Sequence, residues 1–148
     1  MRVVLHIGTD KTGSTSIQNT VWLNREWLLA HSIYVPETGL GEGNGHAGLL
    51  RQMEAGALAQ LTAELLAASE AGYGQALLSW EGMSSLWFDR KHIRRLLGAL
   101  GGFQVHVLVY LREQAEVIQS GHLQRVKRNM NLLDIAAIEH PRTLRERV

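Results

Sequence analysis

The chain has 148 residues, of which 45% are hydrophobic and 20% charged, and its formal net charge is +1 before histidine is counted. This is an ordinary globular composition for one domain, with about two-thirds of the unfolded chain's surface available for burial, and a whole-molecule field so weak that any anion site must be local. The absence of cysteine excludes disulfides, thiolate catalysis and cysteine-ligated metal, and no apolar run approaches the roughly 18 residues needed to cross a membrane.

The N-terminal MRVVLHIG is too short for the apolar core and cleavage site of a signal peptide, so the expected location is cytoplasmic. Arg2 to Ile7 is short, β-branched and apolar and ends at a glycine, which predicts a buried strand. Gly8 to Gly13 is a loop, and a helix follows from Ser14 to about His31. Ile17, Val21 and Leu28 share one stripe of it, Trp22 and Trp27 widen that stripe, and Ser14 or Thr15 caps the start. SIYVPETG, residues 32–39, is a short extended piece stopped by Pro36. GLGEGNGHAG, residues 39–48, is the one glycine-rich stretch and reads as a mobile surface loop.

An Ala- and Leu-rich helix is expected from Ala57 to Ala71, ended by Gly72 and Gly74. QALLSWE, residues 75–81, is a second buried strand, and FQVHVLVYLR, residues 103–112, is a third and the clearest. Between them Asp89 to Leu100 forms a helix closed by Gly101 and Gly102. Beyond Arg112 a helix reaches about Met130, a weaker one covers Leu132 to Ile138, and the polar tail HPRTLRERV is expected to fray. His6 and His106 lie inside apolar strands and read as satisfied core histidines.

Alternation of helices with near-continuous apolar strands predicts a single α/β domain over residues 1–148, a small parallel sheet flanked by helices in a three-layer sandwich. Three or four strands are few for this class, and the chain stops after a helix where another strand would follow. The expectation is a truncated or minimal version of a longer fold.

The chemistry-bearing stretch is LHIGTDKTGSTSIQ, residues 5–18. A strand, a glycine-bounded loop and a helix start make an anion site, because loop N–H groups converge and the helix dipole favours negative charge. Gly8 and Gly13 permit unusual backbone angles and close approach of a ligand. Lys11 adds a full charge, and Thr12, Ser14 and Thr15 add hydroxyl donors. The glycine separation is that of a Walker A loop, but the lysine of such a P-loop would follow the second glycine, where Ser14 stands. A P-loop kinase or NTPase would also want an acidic magnesium ligand at another strand end, and Glu81 is the residue in that place.

KTGST, Lys11 to Thr15, resembles the 5′-phosphosulfate loop of sulfotransferases that use 3′-phosphoadenosine 5′-phosphosulfate (PAPS), which reads lysine, a small residue, glycine and two hydroxyl residues. The N-terminus is similar in particular to bacterial sulfotransferase-like proteins, with Asp10 standing where histidine or proline would be expected. The family's 3′-phosphate site pairs an arginine at a strand end with a serine eight residues later, and YLREQAEVIQSGHLQ supplies Arg112 and Ser120 at that spacing. Arginine grips phosphate bidentately, and a serine hydroxyl adds a further bond. Taken singly, Arg112 reads as a surface ion pair with Glu116 and Ser120 as a small helix-contact residue. The resemblance runs over roughly residues 2–128 and covers the N-terminal part of a usual sulfotransferase.

This resemblance implies a P-loop-like fold, PAPS as donor and no metal. Lys11 would act on the oxygen bridging phosphate and sulfate, Thr12, Gly13, Ser14 and Thr15 would hold the 5′-phosphate, and Arg112 and Ser120 the 3′-phosphate. Sulfuryl transfer also needs a base for the acceptor's proton. Glu81, just beyond a buried strand where parallel sheets present catalytic residues, and His46, in the glycine-rich loop, are the two candidates, and Ser79 on the same strand end as Glu81 is placed to touch a ligand. The implied acceptor is a hydroxyl or amine compound, such as a carbohydrate. No histidine pair has metal-ligand spacing with an acid partner. Arg125, Lys127 and Arg128 read as a solvated basic face, and with no basic patch interleaved with aromatics, including Trp22, Trp27, Trp80 and Trp87, nucleic acid is not expected. Two other readings stay open: the magnesium-dependent NTPase, and a non-catalytic fragment that binds a nucleotide or self-associates into a homo-oligomer through exposed sheet edges.

Overall fold

The computed structural model describes residues 1–8, 12–41, 44–49, 56–84 and 90–127. The expected helix over Leu132 to Ile138 and the polar tail lie outside them. In chain order the elements are β1 (Arg2–Gly8), α1 (Ser14–Leu23), α2 (Arg25–Ala30), β2 (Ile33–Tyr34), α3 (Ala57–Glu70), β3 (Gln75–Ser79), a 3₁₀ turn (Glu81–Ser84), α4 (Arg90–Ala99), β4 (Gln104–Tyr110) and α5 (Gln114–Lys127). The chain divides into two compact units, Met1–Leu111, which holds the whole sheet, and Arg112–Val148, which holds α5.

The protein is an α/β protein with a small, all-parallel sheet of four strands in the order β2-β3-β1-β4. Alternation along the strands sorts side chains to two faces. Val3 and Leu5 of β1 and Ala76 and Leu78 of β3 are buried together with Leu61 and Leu65 of α3 and with Leu96 and Leu100 at the end of α4. Thr62 of α3 donates to the Ala99 carbonyl at 3.0 Å, joining α3 to α4. His6 and Ser79 are register partners one position further along and alternate to the other face.

The helix expected to run unbroken to His31 divides at Asn24. The Asn24 side chain donates back to the Thr20 carbonyl at 2.7 Å, while its own carbonyl accepts from Leu28 N at 2.9 Å. An asparagine amide that competes for backbone groups favours such a junction, so one residue ends α1 and starts α2.

β4, the most continuously apolar strand, is an edge strand rather than a buried one. Among the described residues it pairs with β1 alone, and Val107, Leu108, Val109 and Tyr110 are all exposed. His106 is accordingly exposed instead of a core histidine. The glycine-rich stretch also departs from expectation. It is folded inward, with Gly39, Gly45, His46 and Leu49 buried. Gly39 sits at φ 84°, and a Cβ there would stand 2.3 Å from Leu49 Cγ, so both conformation and space require glycine.

The segment after β2 is fastened to α3 by Glu64. Its carboxylate accepts from the Tyr34 hydroxyl at 2.8 Å and from the backbone N–H groups of Glu37 and Thr38 at 2.7 and 3.0 Å. Burial pushes this carboxyl up, but the bonds from Thr38, Glu37 and Tyr34 outweigh it and hold it below the ordinary range. The Tyr34 phenol is pushed up, by burial first and then by Glu64. A carboxyl depressed in the folded state contributes stability above its unfolded value of about 4.3, and that stability is lost as pH falls through the folded value. Glu64→Gln should therefore cost about 1.5–3 kcal/mol at pH 7, the worth of hydrogen bonds to a charged group, and the gap to wild type should narrow in urea titrations repeated near pH 3. A gap that does not change with pH would show that the charge is unimportant.

Candidate functional site

The site is built where β1 and β3 end. A Cβ at Gly8 would lie 2.8 Å from Thr12 Oγ1 and 3.2 Å from the Tyr110 carbonyl, so a side chain there would displace Thr12 and press on the neighbouring strand. Gly13 is the N-cap of α1 at φ 82°, in the left-handed region that suits glycine. Its carbonyl accepts from Ser16 N at 3.0 Å and Ile17 N at 3.3 Å. Among the described residues no side chain caps the helix, contrary to the role expected of Ser14 or Thr15.

Ser14, buried, donates its hydroxyl instead to Glu81 Oε2. Glu81 opens the 3₁₀ turn directly beyond β3. Two residues 67 positions apart, one from the helix that the KTGST loop leads into and one from the next strand's end, are thus in hydrogen-bond contact. Thr12 is half-buried and Thr15 is exposed. Lys11 lies outside the described residues, as do Asp10, Trp87 and Arg128.

Beneath this pair lies His6, 1% exposed. Its Nδ1 is 2.7 Å from Ser79 Oγ, and its carbonyl accepts from Trp80 N at 3.0 Å. The Tyr110 ring meets the imidazole edge-on at 5.2 Å between centroids. Burial pushes His6 below its ordinary value, with the charge of Glu81 acting in the opposite direction. Among the described residues the buried His6 Nε2 has no hydrogen-bond partner.

His46 is also 1% exposed, and both of its ring nitrogens are used by the backbone. Nε2–H donates to the Pro36 carbonyl at 3.0 Å, and Nδ1 accepts from Ser79 N at 3.0 Å. The His46 N–H donates to the Ser79 carbonyl at 2.8 Å. Burial lowers its pKa and keeps the ring neutral, against the raising effect of these backbone bonds. The expectation of His46 as a base in a mobile loop is therefore corrected: it is a buried pin that holds the loop to the end of β3, and it has no nitrogen to offer an acceptor. The same loop rests on α1, where Asn44 Nδ2 donates to Asn19 Oδ1 at 2.9 Å and a Cβ at Gly45 would stand 2.8 Å from the Gln18 amide.

In the second unit, Glu113 caps α5 by accepting from Ala115 N at 3.1 Å and Glu116 N at 3.0 Å. Arg112 Nε pairs with Glu116 Oε2 at 2.7 Å. Residues four apart share a helix face, so the Arg112 side chain lies along the side of α5 that carries Glu116 and Ser120. Among the described residues no group of three or more His, Asp and Glu is arranged to hold a metal ion, and no helix is long and apolar enough to cross a membrane.

Sequence reasoning named Glu81 and Ser14 separately but missed their contact, and it missed His6 as part of the site. No local signal gives either, since both depend on the register of β1 against β3. Fold and site together define an α/β protein whose first helix, entered from a glycine-bounded sequence, meets an acid at the neighbouring strand end. No protein-family model matches the chain, and no curated protein and no solved structure matches it either.

Proposed function

We propose that this protein is a PAPS-dependent sulfotransferase-like enzyme of the cytoplasm, with a P-loop-like three-layer architecture. The observation that carries the proposal is the Ser14–Glu81 contact at the start of α1, which sets a carboxylate beside the loop whose KTGST sequence resembles a phosphosulfate site. The strand order adds support. The chain leaves β1 toward β2, beyond β3, and leaves β3 toward β4, on the other side of β1. Diverging connections of this kind open a crevice at the carboxyl ends of the strands, where α/β proteins bind ligands.

In this reading Lys11, Thr12, Gly13, Ser14 and Thr15 hold the 5′-phosphosulfate, and Arg112 and Ser120 grip the 3′-phosphate. The acceptor, a hydroxyl or amine compound such as a carbohydrate, gives its proton to Glu81 as its oxygen or nitrogen bonds to sulfur. The bond from sulfur to the bridging oxygen breaks, and adenosine 3′,5′-bisphosphate (PAP) leaves with the electron pair. Cationic and backbone donors stabilise the charge that grows on that phosphate.

The same Ser14–Glu81 pair favours one second reading. A loop hydroxyl beside a strand-end carboxylate is the arrangement with which P-loop NTPases hold magnesium. Calorimetric titration separates the two, with PAP in the absence of metal and ATP in the presence of magnesium, on wild type, Lys11→Ala and Arg112→Ala. PAP should bind without metal, and each substitution should weaken it by about tenfold or more, since a charged hydrogen bond is worth about 1.5–3 kcal/mol. Preference for ATP with magnesium would assign the protein to the NTPase class. Silence with both ligands would leave a non-catalytic fragment.

A further inference from the structure

We infer that His6 is a positioning residue of this site, acting through Ser79 and the turn that carries Glu81. The inference rests on the sulfotransferase reading for its kinetic consequence, but its geometry does not. A histidine in the middle of a parallel sheet is costly unless both nitrogens are paired. A core filler at this position would be leucine or isoleucine, the residue types that flank it in β1. Instead, the imidazole lies beside its register partner Ser79 and is bonded to it at 2.7 Å.

That bond fixes the ring, and the ring fixes the strand end. Ser79 is held from three directions: its hydroxyl by His6 Nδ1, its N–H by His46 Nδ1 and its carbonyl by His46 N. Trp80 N is in turn held by the His6 carbonyl. Glu81 is the next residue, and its carboxylate meets Ser14. Side chain and backbone of His6 therefore clamp the two residues that precede the acid. Displacement of that turn by about an ångström would move the carboxylate off the acceptor's proton, a scale of error that costs about a hundredfold in rate. Among the described residues Nε2 has no hydrogen-bond partner, which fits the same role. A buried polar atom left unsatisfied in the interior costs stability, and such a cost is kept where a polar group serves the site rather than the core. Burial keeps the ring neutral, and in either tautomer Nδ1 can bond the Ser79 hydroxyl, which donates to a bare Nδ1 and accepts from a protonated one.

The test compares wild type with His6→Phe, which fills the space without a polar atom, and His6→Asn, whose amide reaches Ser79 in place of Nδ1. For a positioning role, His6→Phe lowers kcat by about 10- to 100-fold with PAP affinity and donor KM unchanged, and His6→Asn recovers most of the loss. A purely structural histidine predicts a different pattern: both variants lose thermal stability, while kcat per folded molecule stays at the wild-type level, and that outcome overturns the inference. Nitrogen NMR of the His6 ring in ligand-free wild type supplies a readout that needs no turnover. A neutral ring is expected, with an Nδ1 resonance that shifts in Ser79→Ala as the bond to the hydroxyl is lost. If wild type fails to bind PAP, the sulfotransferase reading falls, and the ring still decides this inference, because a His6 whose Nδ1 resonance does not respond to Ser79→Ala is not held by Ser79 and positions nothing.

Discussion

Glu81→Gln is expected to lower kcat for sulfuryl transfer by about 10²- to 10⁴-fold, the range that a positioned general base contributes, while PAP binds as tightly as before or more tightly. Glutamine keeps the size of the side chain and an oxygen that can accept from Ser14, so the turn beyond β3 keeps its hydrogen bond to α1. It cannot take the acceptor's proton. The binding expectation follows from charge alone. A carboxylate at the start of α1 repels an incoming phosphate and partly cancels the favourable helix end, and its removal eases both. His6 supplies an internal check, since the negative charge of Glu81 opposes the burial that lowers its pKa. In Glu81→Gln the ring should titrate lower still. A rise in donor KM with kcat intact would contradict the assignment of Glu81 as base. Loss of magnesium-dependent ATP binding would show the carboxylate to be a metal ligand.

Much of the scaffold around this acid is legible in the sequence, because it is encoded locally. The strand expected over Arg2 to Ile7 is found as Arg2–Gly8, and the start of the following helix at Ser14 is found where the hydroxyl run begins. Glu81 stands two residues beyond the β3 end, close to its expected place at the close of QALLSWE. What is not legible depends on partners distant in sequence. β4 has the strongest apolar run and still lies at the sheet edge, because hydrophobicity reports a strand's affinity for burial and not its place in the order. Residues 39–48 carry the composition of a mobile loop, but His46 brings them inside through bonds to Pro36 and Ser79 that no local pattern announces. Asn24 is polar on a helix surface until its amide is seen to take the Thr20 carbonyl.

His46→Ala should destabilise the protein by about 3–5 kcal/mol. The size follows from three losses at one buried point. A fully enclosed side chain disappears and leaves a cavity. Ser79 N and the Pro36 carbonyl each lose the partner that satisfies them inside the fold. The loop that rests on Gln18 and Asn19 loses its attachment to β3, although the His46 backbone bond to Ser79 can persist. With a urea m value of roughly 1–3 kcal/mol per molar, the midpoint should fall by about 2 M. The pH dependence gives a second signature with a fixed sign. His46 titrates below its ordinary value in the folded protein, so the unfolded chain binds its proton first as pH falls below about 6.5. Wild-type stability must then decline toward acid, by as much as ~1.4 kcal/mol per pH unit from this one group. His46→Ala lacks that slope, and its deficit should therefore shrink between pH 7 and pH 5. If the variant instead kept its urea midpoint but lost turnover, the imidazole would have to reach the acceptor, and the buried, doubly bonded His46 described above would not be the working conformation.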